Sequence, residues 1–378
     1  MASLYDRIKS AQPIKQKAHS HLPETCLVRE RRISLGEMKG RVFDAQLMSF
    51  ISNKTIQMDC KAEDLLFLDT ETTGLARGAG TIAFLVGYGQ FQDDELVITQ
   101  VLMRDYHQEV LLLDDLLQRV KAYKCLVTYN GASFDIPVLQ SRLIMNRLQY
   151  ELSNVPHLDL LHAARRIFKL RLGRCPLNRM EELVFNFTRE DDLPGAEVPA
   201  RYFDYLKQRD EGLLKDVLRH NDQDILTLAR LFLHLSNLHQ QPLEAEHQED
   251  LFSLGAIYEK QGHHSRAIAC YRACSDKAVR DIARLRAAEI YRKQHQDEEA
   301  VQAFETLRQN RLVNPKVFIS LAKIYEHRFR DPVRALEIAR QGMIYCSERI
   351  GFDAAGDRDY LDLHYRSLRL MRKVENSG

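Results

Sequence analysis

Asp69 and Glu71 stand two residues apart at the end of the apolar run Leu65-Leu66-Phe67-Leu68, so on an extended strand their side chains share one face. Such hard oxygen donors suit divalent cations. Two such ions about 3.5–4 Å apart stabilise the attacking and leaving oxygens when a phosphodiester is hydrolysed. Further acids must come from elsewhere in the chain. Asp135 follows Tyr129-Asn130-Gly131-Ala132-Ser133-Phe134 at the start of a predicted helix, and Asp224 follows His220 in His220-Asn221-Asp222-Gln223-Asp224. Four positions apart, His220 and Asp224 share one helix face. The expected chemistry makes Asp69, Glu71, Asp135 and Asp224 ligands, direct or through water, of two divalent ions, Mg²⁺ or Mn²⁺. His220, an imidazole with an ordinary pKa of about 6.5, would take the proton of the attacking water.

Around these residues, Thr70, Thr72 and Gly74 lie where the chain turns after the strand, so that backbone amides can meet a terminal nucleotide; Asn130 and Phe134 are further candidates for substrate contact. Each motif also fits a plainer role. Asp-x-Glu can end a strand as solvated acids, Asp135 can cap its helix, Phe134 and Tyr129 can be core aromatics, and a lone helical histidine can be structural. The combination, in this order along the chain, favours the site.

Together, segments 65–74, 128–137 and 220–224 resemble the three exonuclease motifs of the DEDD (DnaQ-like) superfamily. One departure stands out. The histidine branch of that superfamily usually has four residues between His and Asp and the tyrosine branch has three, whereas this chain has His220 with three. The change rotates the pair by about 100° on a helix. Outside the motifs, His157-Leu158-Asp159-Leu160-Leu161 and Asp192-Leu193-Pro194-Gly195-Ala196-Glu197-Val198-Pro199, with the repeats described below, are similar to bacterial YprB-like exonucleases of the mitomycin-repair type. The resemblance covers roughly residues 60–345. It implies metal-dependent 3′–5′ removal of nucleotides from a DNA 3′ end, a role in DNA repair, and a helicase or other repair protein as partner. Asp159 also reads as a helix N-cap. An exoribonuclease acting on short RNA, and a repeat scaffold with a vestigial nuclease fold, are the competing readings.

The elements that must position these residues follow from periodicity. After strand 65–68, residues 81–89 and 95–103 read as two more strands of an antiparallel meander, with Gly87 and Gly89 allowing close backbone approach. Residues 110–122 have helical spacing, 125–129 form a strand, and a helix follows over 136–146. This is an α/β pattern compatible with a ribonuclease-H-like fold. Leu254-Gly255, Tyr258, Ala267 and Tyr271 recur 33 residues later as Ala287-Ala288, Tyr291, Ala300 and Phe304, then after 34 to 35 more as Leu321-Ala322, Tyr325, Ala335 and Ala339. That period is similar to the tetratricopeptide repeat. The expected layout is an N-terminal extension over 1–60, the nuclease domain over 61–235 and a polar linker over 236–247. Three repeats over 248–346 and a capping helix over 347–378 complete it.

Composition sets the outer bounds. The 378 residues are 45% apolar and 28% charged, as expected of a globular chain, with no run near the ~18 apolar residues of a membrane span and no signal-peptide pattern. Seven cysteines with no Cys-x-x-Cys pair favour a reducing cytoplasm over disulfides or zinc. Net charge is +1, unevenly spread: residues 61–247 carry 21 Lys/Arg against 28 Asp/Glu, whereas 248–378 carry 23 against 19. An acidic centre suits cations, and basic flanks suit a phosphate backbone.

Overall fold

The run that ends at Asp69 becomes a central strand of a six-stranded sheet. In spatial order the strands are β1 (Leu27–Ser34), β6 (Glu95–Leu102), β5 (Ala83–Gln92), β4 (Leu65–Thr72), β7 (Cys125–Thr128) and β8 (His157–Asp159). β2 (Val42–Phe43) and β3 (Cys60–Lys61) form a separate ribbon beside α1 (Ala45–Ser52). The structure, a computed structural model, describes residues 25–74, 80–190, 193–309, 314–350 and 356–376. The first 24 residues of the expected extension, Asp192 and the last two residues of the expected cap lie outside them.

β4, β5 and β6 form the antiparallel meander, while β7 and β8 add in parallel after crossovers through α2 (Glu109–Ala122) and α3 (Asp135–Met145). One sheet face buries Leu66, Leu68, Phe84 and Val86 against Leu112, Leu113 and Leu116 of α2. After β8 come α4 (Leu160–Leu172) and α5 (Leu177–Val184), then α6 (Val198–Gln208), whose Tyr202 stacks on Phe84 with ring centroids 3.9 Å apart. α7 (Lys215–Gln240) lies on the opposite face, where its Phe232 packs edge-on against Phe67 and its Ile225 over Gly89. A Cβ at Gly89 would stand 2.7 Å from Ile225 Cγ2, and one at Gly87 2.3 Å from Asn221 Oδ1. The two glycines are therefore what lets α7 press against β5, as their spacing predicts.

Two expectations are corrected. Residues from Leu27 are not an appended extension: β1 pairs with β6 antiparallel over its full length, Leu27 opposite Leu102 through Ser34 opposite Glu95. Its charged residues Arg29 to Arg32 face solvent on a sheet edge, where charge discourages pairing with another chain. Nor is 236–247 a linker throughout. α7 continues to Gln240 because Leu235 and Leu238 extend its buried stripe, and only one short turn, Pro242–Glu244, precedes the next helix.

The chain divides into two compact units, residues 1–161 with 180–233 and residues 162–179 with 234–378. Segment 162–179, expected within the nuclease domain, thus groups with the repeats; Arg171 pairs with the buried Asp250 at 2.7 Å. The second unit is helical: α8 (Gln248–Lys260), α9 (His264–Ala273), α10 (Lys277–Lys293), α11 (Asp297–Gln309), α12 (Pro315–His327), α13 (Pro332–Ile350) and α14 (Arg358–Glu375). α8 packs on α9, α10 on α11 and α12 on α13, three hairpins at the predicted period. Gly255 shows why the period carries small residues, since a Cβ there would stand 2.7 Å from the Tyr271 ring. No helix among the described residues is long and apolar enough to cross a membrane.

Candidate active site

β4 places Asp69 and Glu71 on the face that α7 crosses, while Thr70 and Thr72 are buried on the other. Register puts Asp69 opposite Gly87. Asn221 of α7 fills the space above that glycine, donates from Nδ2 to Asp69 Oδ2 at 2.8 Å, and accepts from Gln100 Nε2 at 2.9 Å. The fully buried Asn221 thereby fixes both the Asp69 carboxylate and the depth of the helix. Three residues along α7 comes Asp224.

Asp135 arrives on the other side of β4. It opens α3, is buried, and accepts a hydrogen bond from Thr70 Oγ1. Burial raises its pKa to about 6 against the lowering effect of Thr70, with Asp159 pushing it further up. Asp69 is raised well above the usual carboxylate range, first by desolvation and then by the charges of Asp224, Asp135 and Glu71. The other three predicted carboxylates therefore all act on Asp69. Asp224 is likewise raised by burial, which outweighs His220 and Arg189 beside it.

Arg189 was not foreseen. Its guanidinium donates from Nη2 to Asp224 Oδ1 and from Nε and Nη2 to Glu181 at 2.5 and 2.9 Å. Arg189 and Glu181 side chains are only 9% and 2% exposed, so this is a buried ion pair. Gln223 and Thr227 of α7 also donate to Glu181 Oε1. Arg189 Nη1 lies 3.2 Å from His220 Nδ1. Because a guanidinium only donates, Nδ1 must accept, which leaves the proton of a neutral imidazole on Nε2. That nitrogen is 3.6 Å from Asp224 Oδ2.

The candidate substrate contacts divide. Thr70 is spent on Asp135, and Thr72 Oγ1 on the carbonyl of Gly74 at 2.8 Å. Asn130 is exposed, in the left-handed region with φ of 65°. Its N–H and that of Ala132 donate to Asp159 at 2.8 and 3.1 Å, so Asp159 does more than cap: it shapes the loop leading to Asp135. Phe134 is partly exposed beside Asp135 and not in the core.

Among the described residues no three His, Cys, Asp or Glu side chains are gathered at ligating distance as they stand. The donor chemistry nonetheless fits a divalent ion. These are hard carboxylate oxygens, desolvated and mutually repelling, and only added positive charge relieves that repulsion.

Known proteins bear on this geometry. Residues 66–236 match the model of the RNase H superfamily, and residues 251–285 that of the tetratricopeptide repeat. The uncharacterized protein YprB of Bacillus subtilis (strain 168) is 33% identical over 371 residues, spanning 93% of this chain and 87% of that protein. The chain belongs to the YprB family. In this YprB-family chain the superfamily match spans Asp69, Glu71, Asp135, His220 and Asp224, and it supports a nuclease hydrolase with nucleic acid as substrate. RNase H-like nucleases generally use divalent metal ions. The repeats suit protein interaction in general. Among solved structures, the family B DNA polymerase of the archaeon Pyrobaculum calidifontis aligns at 14% identity with a TM-score of 0.36, over 65% of this chain and 33% of that one.

Proposed function

We propose that the first unit is a 3′–5′ exonuclease acting on DNA, in which Asp69, Glu71, Asp135 and Asp224 hold two divalent ions, Mg²⁺ or Mn²⁺. The observation that carries this reading is the convergence on Asp69 of charge from β4, α3 and α7, which no packing requirement explains. The ions would supply positive charge for the attacking and leaving oxygens of the phosphodiester. The chain's own residues do the rest. Asn221 holds Asp69, Thr70 holds Asp135, and Arg189 holds Asp224. The loop shaped by Asp159 presents Asn130 and Phe134 beside Asp135, where a terminal nucleotide can lie. Work in DNA repair in the cytoplasm, with the repeats engaging a helicase or other repair protein, completes the reading. Digesting end-labelled single-stranded DNA, duplex DNA and RNA side by side with Mg²⁺ or Mn²⁺ tests it. Stepwise shortening from the 3′ end of DNA is expected. Cleavage of RNA alone, or of nothing, overturns it.

His220 has two roles in this scheme, and the Arg189 contact favours the second. As general base it would accept a proton from water. As a positioning residue it turns its Nε2–H towards Asp224 while Arg189 occupies Nδ1.

A further inference from the structure

The repeat unit holds a charged cluster that no part of the nuclease reading uses. A cavity of about 260 Å³ is lined by Arg292 of α10, Lys323, Ile324, His327 and Arg328 at the end of α12, and Arg366 and Arg369 of α14. The lining Arg366 and Arg369 are bonded to Glu326, whose side chain is 1% exposed. Arg366 Nη1 and Arg369 Nη2 donate to its Oε2 at 3.1 and 2.6 Å, and Lys373 Nζ to its Oε1 at 2.7 Å. Three permanent cations thus share one carboxylate. Asp362 takes a second bond from Arg366 at 3.1 Å, and Arg292 pairs with Glu289 at 2.8 Å. Arg328 lies 4.0 Å from Asp297, and Lys323 has no ion-pair partner among the described residues. Arg366 is 8% exposed and its Nε, buried in the cavity wall, has no hydrogen-bond acceptor.

We infer that this cavity is a phosphate-binding site of the repeat unit, and that its ligand is the sugar–phosphate backbone of single-stranded nucleic acid. The lining is mostly guanidinium, whose planar fork suits phosphate oxygens better than an ammonium does. Glu326 fixes the fork of Arg366 in advance and leaves excess positive charge facing solvent. Arg366, Arg369 and Lys373 recur at i, i+3 and i+7 along one side of α14, so the charge runs in a line that a polyanion can follow. Choosing a nucleic acid over another polyanion draws on the nuclease reading; the site itself does not.

The test uses the full-length protein with a chelator present, so that nothing is hydrolysed. Binding of a fluorescent single-stranded oligonucleotide is titrated over a range of salt concentrations. Lys323→Ser with Arg328→Ser should weaken binding about tenfold and reduce the salt slope by about 1.4, at ~0.7 per neutralised phosphate on a single strand. Arg369→Gln should act in the same direction, and decides the matter if the double variant unfolds. Equal affinity and slope in wild type and variants would overturn the site. Loss of binding to phosphatidylglycerol-containing vesicles or to polyglutamate, with oligonucleotide binding unchanged, would overturn its assignment to nucleic acid. Hydrolysis of a short oligonucleotide with Mn²⁺, measured alongside, should be the same in all three proteins. If the wild type hydrolyses nothing, the nuclease reading fails while the chelated binding difference still decides this one.

Discussion

Two ion-paired carboxylates, one in each unit, are treated in opposite ways. Asp224, whose charge adds to those of Asp135 and Glu71 on Asp69, shares Arg189 with Glu181, so two acids divide one guanidinium. Burial wins there, and its pKa rises despite Arg189 and His220. Burial also pushes Glu326 up, but Lys373 and Arg369 more than cancel it, and its pKa falls. A carboxylate short of positive charge is a place for cations. One surrounded by surplus positive charge organises a place for anions. On the proposed readings two carboxylates thus organise sites for opposite ligands, and the count of neighbouring charges decides which.

The largest effects should come from the charge-poor site. Asp69→Asn or Asp224→Asn should lower nuclease turnover at least ~100-fold. Removing one of several repelling acids should also raise the melting temperature of the metal-free protein, so activity and stability move in opposite directions. A variant with wild-type turnover would end the metal-ligand assignment. For His220→Ala, a loss of roughly 10²–10⁴ in rate together with disappearance of the acid limb of the pH profile would make it the general base. A loss with the limb intact would leave it positioning Asp224. Arg189→Gln tests that shared cation directly. It strands Glu181 in a nearly dry setting, and breaking a buried pair of this kind costs about 3–5 kcal/mol. Denaturant unfolding should show that loss, and Glu181→Gln in the same chain should recover much of it.

Much of this site is legible in the residues. The apolar run fixes β4 and hence the shared face of Asp69 and Glu71. The stripe Leu214, Val217, Leu218, Ile225, Leu228 fixes α7, and Gly87 with Gly89 marks where that helix can approach. What escapes is what has no period. Arg189 lies in Phe187-Thr188-Arg189-Glu190, a stretch with no apolar rhythm, and its partners Glu181 and Asp224 are 8 and 35 positions away. Its only trace is the need of an acidic cluster for a cation. β1 escapes because its alternation is masked by Arg29-Glu30-Arg31-Arg32, which reads as a solvated arm until β6 supplies a pairing edge. Asn221 and Asp159 stand within or beside the motifs yet contribute through backbone and side-chain hydrogen bonds that spacing alone does not reveal.

Proton linkage sharpens the same contrast. A carboxyl raised from 3.8 to about 6, as Asp135 is, holds a proton in the folded chain that the unfolded chain has already released. Its contribution to stability is therefore full below the unfolded value and is lost as pH rises through about 6, the reverse of an ion-paired acid. In chelator, the protein should lose up to about 3 kcal/mol between pH 4 and pH 7 from this group. Asp135→Asn should flatten that loss, and Mn²⁺ should restore stability at the higher pH by binding the folded state. A thermal unfolding series with and without metal checks all three.

The smallest effect should be at Glu326. Its pKa is held down, so its contribution is present above the unfolded value and is lost as pH falls through the folded one, at the acid end where the Asp135 contribution is full. Glu326→Gln removes the shared acceptor, but Arg369 and Lys373 are about half exposed and regain water. Arg366 alone stays buried, with Asp362 still bonded to it. The cost should therefore be about 1–2 kcal/mol, below that of the Arg189 variant, because solvent screens most of what the carboxylate held. The same substitution adds one unit of positive charge to the cavity, so the oligonucleotide should bind at least as tightly in low salt. A variant that loses as much stability as Arg189→Gln would show that Glu326 serves the fold first. One that loses oligonucleotide binding while remaining folded would show that the fork of Arg366, and not net charge, selects the phosphate.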